Sequence, residues 1–289
     1  MAREAWGKWG ADDERGALNH IGAAEVSRAC RMVKQGRVLS LAQPLSKRMP
    51  VPSHRAGVMH FMDRDGGDYA AGAKRLHGFQ FSDDTLLLPL HSGTHIDGLC
   101  HAWYDDQLYN GFPGTTVRST SGATRCGVDK LAPIVTRGVL LDVAALNGGP
   151  LKSGEPIGAR RLAEAAHRAG VQVEKGDAVL IRTGWQESEG ESPDFDREPG
   201  LDVEGALWLA QAGVALVGAD NFAIEAMPFP EGTIFPVHQR LIRDYGIPLL
   251  EGLVLALLAQ SGAGEFLFFA AALPIEGGTG SPLTPVAVL

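Results

Sequence analysis

The chain has 289 residues, 45% hydrophobic and 21% charged, a balance that suits a globular enzyme and excludes a disordered chain. Its formal charge of −8 comes with no strongly basic stretch, which argues against nucleic acid or an anionic membrane as the main partner. The three cysteines, Cys30, Cys100 and Cys126, are an odd number without CxxC spacing, so neither a disulfide framework nor a Cys-rich zinc site is expected.

The opening MAREAWGKWGADDERG is charged and lacks the apolar run of a signal peptide. The longest apolar stretch, near 247–259, is interrupted by Glu251 and Gly252 and is too short to span a bilayer. A cytoplasmic protein is the expectation. Ala23 to Gln35 reads as a helix, with Val26, Ala29, Cys30 and Val33 at helical spacing and Gly36 placed to end it. Arg37 to Leu41 reads as a short strand. From Pro44 to Asp84, prolines, glycines and charges alternate without a sustained period, as in irregular loops that cover substrates.

Beyond residue 130 the pattern becomes strand–helix–strand. Gly138 to Val143 is an apolar run, Ala159 to Ala169 a helix ended by Gly170, and Ala178 to Thr183 a strand. Leu201 to Ala212 is a helix ended by Gly213, followed by a strand from Val214 to Val217. His238 to Tyr245 suggests a short helix stopped by Gly246, with strands near Ile247–Leu255 and Phe266–Leu273. This alternation points to an α/β domain. The acidic stretch Glu187 to Glu198 reads as a solvated loop, and GGTGSP, Gly277 to Pro282, as a turn, because it opens no helix. No internal repeat or domain boundary stands out.

The chemistry concentrates in LLLPLHSGTHIDGLCH. An apolar run delivers the chain to His91, and His95, Asp97 and His101 follow within ten residues. In an extended segment the period of two sets His91, Gly93, His95 and Asp97 on one face, and Gly93 leaves room between the imidazoles for an ion. A helix would turn Asp97 away, and Gly93 and Thr94 disfavour it. Two imidazoles and a carboxylate suit a divalent ion such as zinc, manganese or iron. Glu251 sits inside IPLLEGLVLALL, where an unpaired carboxylate carries a large desolvation cost that a cation, or an arginine partner, would remove. His238, in FPVHQRLIRDYG, is a ligand or a surface residue; spacing does not decide. A Cys100 nucleophile beside His101 is disfavoured, since adjacent residues seldom face each other. There is no GxSxG elbow and no Walker loop.

HSGTHIDGLCH resembles the H-x-G-T-H-x-D-x-P-x-H signature of the cyclase family of metal-dependent hydrolases, which includes bacterial kynurenine formamidases and isatin hydrolases. GADNFAIE, Gly218 to Glu225, and PVHQRLIRDYGIPLLEGL are similar to two further segments of that family. The lead WGKWGADDERGALNHI and the YNG at Tyr109–Gly111 look like its longer members. The resemblance implies one domain over residues 1–289, with 1–84 as an N-terminal extension and irregular loop region packed on it. It implies a mixed, partly barrel-like sheet flanked by helices, of the swivelling β/β/α type. By the same resemblance, His91, His95 and Asp97 hold a first divalent ion, Zn2+ or Mn2+. Where a second ion binds, Asp97 bridges, His238 joins it and Glu251 contacts both, while His101 is the catalytic acid/base. A homodimer or larger homo-oligomer is also implied. The signature proline is replaced by Leu99.

The expected reaction is hydrolysis of an amide-like (C–N) or lactone bond in a small, possibly cyclic substrate, with water activated by the metal and His101 passing the proton to the leaving group. Trp6, Trp9, Phe61 and Trp103 are candidates for lining the pocket. Two alternatives stand beside this reading. One is a mononuclear non-haem iron oxygenase using His95-x-Asp97 with His238, and Arg243 for a keto-acid. The other is a non-catalytic binding protein with a structural metal, although such sites usually close with four Cys or His ligands.

Overall fold

The structure, a computed structural model, describes residues 4–190 and 192–289. Nine strands form one curled, half-barrel sheet: β1 (Val38–Ser40), β2 (His95–Asp97), β3 (Ile134–Asp142), β4 (Ala178–Arg182), β5 (Leu216–Ala219), β6 (Leu249–Glu251), β7 (Glu265–Ala270), β8 (Gly280–Pro282) and β9 (Val286–Val288). Their order is β1-β9-β7-β3-β4-β5-β6-β2-β8, and helix α1 (Ala23–Cys30) precedes β1 in the chain. The four central strands β3 to β6 run parallel, and the strands on both flanks pair antiparallel.

Parallel central strands need both faces covered, and runs such as Val139–Leu141 in β3 and Ala178–Ile181 in β4 put apolar residues on both faces. Val139, Leu141, Val179, Ile181, Val217 and Ala219 face one core, under the helices α2 (Ala159–Ala169) and α3 (Val203–Ala212). The alternate positions Leu140, Leu180, Leu216 and Leu250 face a second core with Phe266 and Phe268. A period of two thus serves both layers. Helix α2 turns Leu162, Ala165 and Ala166 to the sheet, the i, i+3, i+4 stripe, and Gly170 at φ 67° ends it in the left-handed cap that glycine favours. In α3 the Asp202 carboxylate accepts from Gly205 N at the first turn.

The strand–helix–strand expectation from residue 130 onward matches these elements within a few residues. Upstream the match is weaker. The helix expected over Ala23–Gln35 ends at Cys30, because the backbone N–H groups of Gln35 and Gly36 turn away to donate to Leu289 O at the other end of the chain. Between Pro44 and Asp84, expected to be irregular, the chain forms a hairpin from Met59–Arg64 and Asp83–Leu87, with a short helix at Gly66–Ala70. Both faces of this hairpin are largely exposed, so no alternation marks it in the sequence. Pairing with β2 makes Gly280–Pro282 a strand and not the turn expected from GGTGSP. No helix among the described residues is long and apolar enough to cross a membrane.

Candidate metal centre

Strand register assembles the site. In the antiparallel pair β2–β6, Glu251 lies directly across from His95, and on the other side Gly280 lies across from Asp97. Opposed residues bring their Cβ atoms to about 5 Å. His95 and Asp97 share one face of β2, while Ile96 between them enters the core beneath. His91 arrives from the bends that precede β2. Gly93 sits there at φ 59°, and an added Cβ would meet Met49 Sδ at 2.8 Å. Its role is therefore this turn and this close contact, not the spacing of imidazoles. His238 comes from a helical segment, Pro236–His238, that continues as a π-helix over Gln239–Asp244, a form frequent at functional sites.

The hydrogen bonds settle which nitrogen each ligand candidate offers. His95 Nδ1 donates to Gly93 O at 2.9 Å, so its Nε2 presents a lone pair. His238 Nδ1 donates to Glu225 Oε1 at 2.6 Å, which leaves Nε2 bare in the same way. Both lone pairs face carboxylates: His95 Nε2 is 3.0 Å from Glu251 Oε2, and His238 Nε2 is 3.2 Å from Glu251 Oε1 and 3.8 Å from Asp97 Oδ2. Despite that proximity, His95 Nε2, Asp97 Oδ2 and Glu251 Oε1 are buried without a hydrogen-bond partner among the described residues. Electron-rich atoms so placed repel one another unless a cation or a proton lies among them. The donor set fits a divalent ion. His91 differs, since its Nδ1 meets Asp97 Oδ1 at 2.7 Å and its Nε2 meets Thr279 Oγ1 at 3.0 Å.

The donor atoms fall into two overlapping triplets that share Asp97: His91, Asp97 and His101, and His95, Asp97 and Glu251. His101 stacks on the His91 ring at 3.9 Å and its Nε2 is 3.9 Å from Asp97 Oδ2. Its side chain is 27% exposed, against 11% or less for His91, His95, Asp97, His238 and Glu251.

Charge accounts for the titration. Burial alone would raise the Asp97 carboxyl, but His101, His91 and His95 hold it far below the usual range. Burial and Asp97 push Glu251 up, yet His238 and His95 bring it below its ordinary value. Burial disfavours the charged form of His95 and His238, and the adjacent carboxylates outweigh it, Glu251 for His95, Glu225 with Glu251 for His238, so both are raised. A field that attracts protons this strongly also attracts a metal ion, and the two compete. His101 goes the other way: burial lowers it to about 4, with Asp97 opposing, so it is neutral near pH 7.

Three members of the cluster, His101, His238 and Glu251, line a cavity of about 830 Å3. Aromatic rings of Trp103, Phe195, Phe222 and Phe235 line it together with Arg55 and Glu198. Of the four aromatic residues expected there, Trp103 alone is present. Trp6 lies 4.7 Å from the Arg243 guanidinium, Trp9 packs edge-on to His20, and Phe61 is on the exposed hairpin. The stretch Glu187–Glu198 is likewise not a plain solvated loop: Phe195 and the fully buried Glu198 are part of the wall, while Glu191 lies outside the described residues.

A family model described as putative cyclase matches residues 39–226. The chain belongs to the cyclase family. It is similar, at 36% identity over 98% of this chain and 99% of the other, to a solved novel cyclase, with a TM-score of 0.92. Isatin hydrolase A from Ralstonia solanacearum is 24% identical over 92% and 94% of the two chains, TM-score 0.65. A predicted metal-dependent hydrolase from Bacillus stearothermophilus is 20% identical over 87% and 97%, TM-score 0.58; these two share the fold. The comparison with curated proteins found no match.

In this cyclase-family chain, sequence reading overlooked Glu225, which holds three donors: Val237 N, His238 N and His238 Nδ1. Ile224 before it takes φ 60°, a strained value for a β-branched residue, and that turn aims the carboxylate at His238. A glutamate inside the apolar run FAIEAM was the available signal. Glu225→Gln is expected to lower metal affinity about 10- to 100-fold, measured by competition with a chromophoric chelator, because an uncharged amide with one acceptor oxygen cannot hold His238 Nδ1 and the Val237 and His238 N–H groups as the carboxylate does.

Glu198 was also missed. Its Oε2 accepts from Phe222 N at 2.6 Å and Ala223 N at 3.0 Å, while Oε1 has no hydrogen-bond partner among the described residues. Burial first, and Glu251 second, push this carboxyl up to about 8 against the two backbone donors. Between its ordinary 4.5 and about 8 the unfolded chain ionises while the folded one stays protonated, so stability falls as pH rises through that window. Glu198→Gln removes the titration. In chelated protein the variant is expected to match the parent near pH 4.5 and to exceed it by roughly 3–5 kcal/mol at pH 9, read from urea midpoints.

Proposed function

We propose that this protein is a metal-dependent hydrolase that cleaves an amide-like or lactone bond in a small, ring-bearing substrate. One observation carries the reading: two imidazoles whose Nδ1 protons are tied to Gly93 O and Glu225 turn bare Nε2 atoms toward Asp97 and Glu251 at the floor of an apolar cavity. His91, His95, Asp97, His238 and Glu251 would hold one or two ions, zinc or manganese by their mixed nitrogen and oxygen donors. A divalent ion supplies Lewis acidity there, lowering the pKa of water and polarising a carbonyl. His101, neutral and facing the cavity, accepts a proton from the attacking water and delivers it to the departing nitrogen or oxygen. The water oxygen ends in the product carboxyl group. The fold relatives named for hydrolysis, including isatin hydrolase, support this chemistry.

The oxygenase alternative finds no support in the geometry. It leaves His91 and Glu251 without a role, and Arg243 is 1% exposed, bonded to Gln107 O and Asp244 and stacked on Tyr104. A thiol nucleophile is equally disfavoured, since burial pushes Cys100 up to about 12. The test is metal analysis of protein purified without chelators, followed by an anaerobic screen of formamides, cyclic amides and lactones. Turnover that vanishes with chelation and returns with Zn2+ or Mn2+ supports the proposal; stoichiometric metal with no hydrolysis across the panel counts against it.

We also propose a homodimer, as the family resemblance implies, with the hairpin as its natural contact. A two-stranded ribbon is marginal alone, and this one exposes Phe61, Met62, Leu86 and Leu87. Light scattering that gives a monomer mass would refute it.

A further inference from the structure

Arg55 stands on the cavity wall beside the cluster, on the segment that leads into the exposed hairpin. Its guanidinium lies 5.0 Å from the Phe222 ring, and its Nη1 donates to the carbonyl oxygen of His91. Among the described residues that is the one hydrogen bond of its side chain, and no carboxylate comes within ion-pair distance of it. Burial depresses the guanidinium, with the more distant Glu251 and Asp97 opposing. A partly desolvated arginine with most of its donors unspent is uncommon, because buried charge is normally paired. A planar fork of this kind matches a carboxylate bidentately. The neighbouring walls, Trp103, Phe195, Phe222 and Phe235, suit a flat apolar ring.

We propose that Arg55 is a specificity-determining residue that holds the carboxylate of a ring-bearing acid in this cavity. This rests on the hydrolase reading for its substrate class: lactones and cyclic amides whose opened products are ring-bearing carboxylates, with the new carboxylate passing to Arg55. The pairing itself does not depend on turnover, because a simple aromatic carboxylate would occupy the same place. Lys keeps the charge but not the fork, and Met keeps much of the length with neither.

The experiment measures binding of phenylacetate and of its neutral counterpart phenylacetamide to the metal-loaded protein by calorimetry, with metal content determined for every variant. Arg55→Met is expected to weaken phenylacetate at least tenfold and leave phenylacetamide within about twofold, at unchanged metal stoichiometry. Arg55→Lys should fall between. Equal phenylacetate affinity in parent and Arg55→Met, the carboxylate being held by the metal alone, overturns the proposal, as does a parallel loss for both ligands. Arg55-dependent binding with no hydrolysis in the panel would refute the hydrolase reading and leave this one standing.

Discussion

Asp97→Asn is expected to cost the protein its metal and with it essentially all activity. One carboxylate lies within 4 Å of four imidazoles: His91 at 2.7 Å, His95 at 3.7 Å, His238 at 3.8 Å and His101 at 3.9 Å. Asparagine preserves the volume and the strand but removes the negative charge that belongs to both donor triplets. Breaking one member of a buried charge cluster costs about 3–5 kcal/mol, which corresponds to roughly two to four orders of magnitude in metal affinity. Chelator competition reads that loss directly, and the stoichiometry after dialysis distinguishes it from a catalytic defect. His91→Gln should be milder, because the His91 nitrogens are both engaged with protein groups while the other donors remain in place. Equal losses in the two variants would contradict the central position given to Asp97.

The α/β half of the fold was legible because its strands and helices are buried in layers that impose their periods on the sequence. Leu140 and Leu141 point into different cores, and an uninterrupted apolar run is the trace of that. The hairpin over Met59–Leu87 was not legible, since among the described residues its faces are largely exposed and no burial pattern is written into them. Strand β8 was hidden for a different reason. Its three residues are held by register against Asp97 and His95, and glycine at 280 reflects contact with the His91 ring, where a Cβ would come within 2.5 Å of Cε1. Glycine read in isolation signals a turn as readily as a close approach.

The cluster of candidate donors was legible by residue type, with parity on β2 for His95 and Asp97, and Glu251 by its improbable position in an apolar run. What joined them was the pairing of β2 with β6, a long-range register that spacing does not contain. The cavity wall was less accessible to sequence reading. Arg55, Phe195, Glu198 and Phe222 come from loops without a repeating pattern, and acidic residues around Phe195 made that segment look solvated. Leu99, at the place of the signature proline, is fully buried in the core.

His101→Ala separates the two roles open to this residue. It belongs to one donor triplet, so it has the geometry of a ligand as well as of an acid/base. Three features favour proton transfer. It is the most exposed member of the cluster, it lines the cavity, and its 3.9 Å separation from Asp97 is longer than the 2.7 Å from His91 to Asp97 and the 3.0 Å from His95 to Glu251. Its lowered pKa of about 4, due chiefly to burial, keeps the ring neutral at pH 7, with a ring nitrogen free of its second proton. Removing such a group typically lowers turnover about 10²- to 10⁴-fold. The variant is expected to retain full metal stoichiometry and near-normal affinity in the chelator assay while kcat falls by that factor. Added imidazole should restore part of the rate by entering the vacated space beside His91. Loss of metal in step with activity would instead make His101 a ligand, and the proton would then have to leave by another residue of the wall.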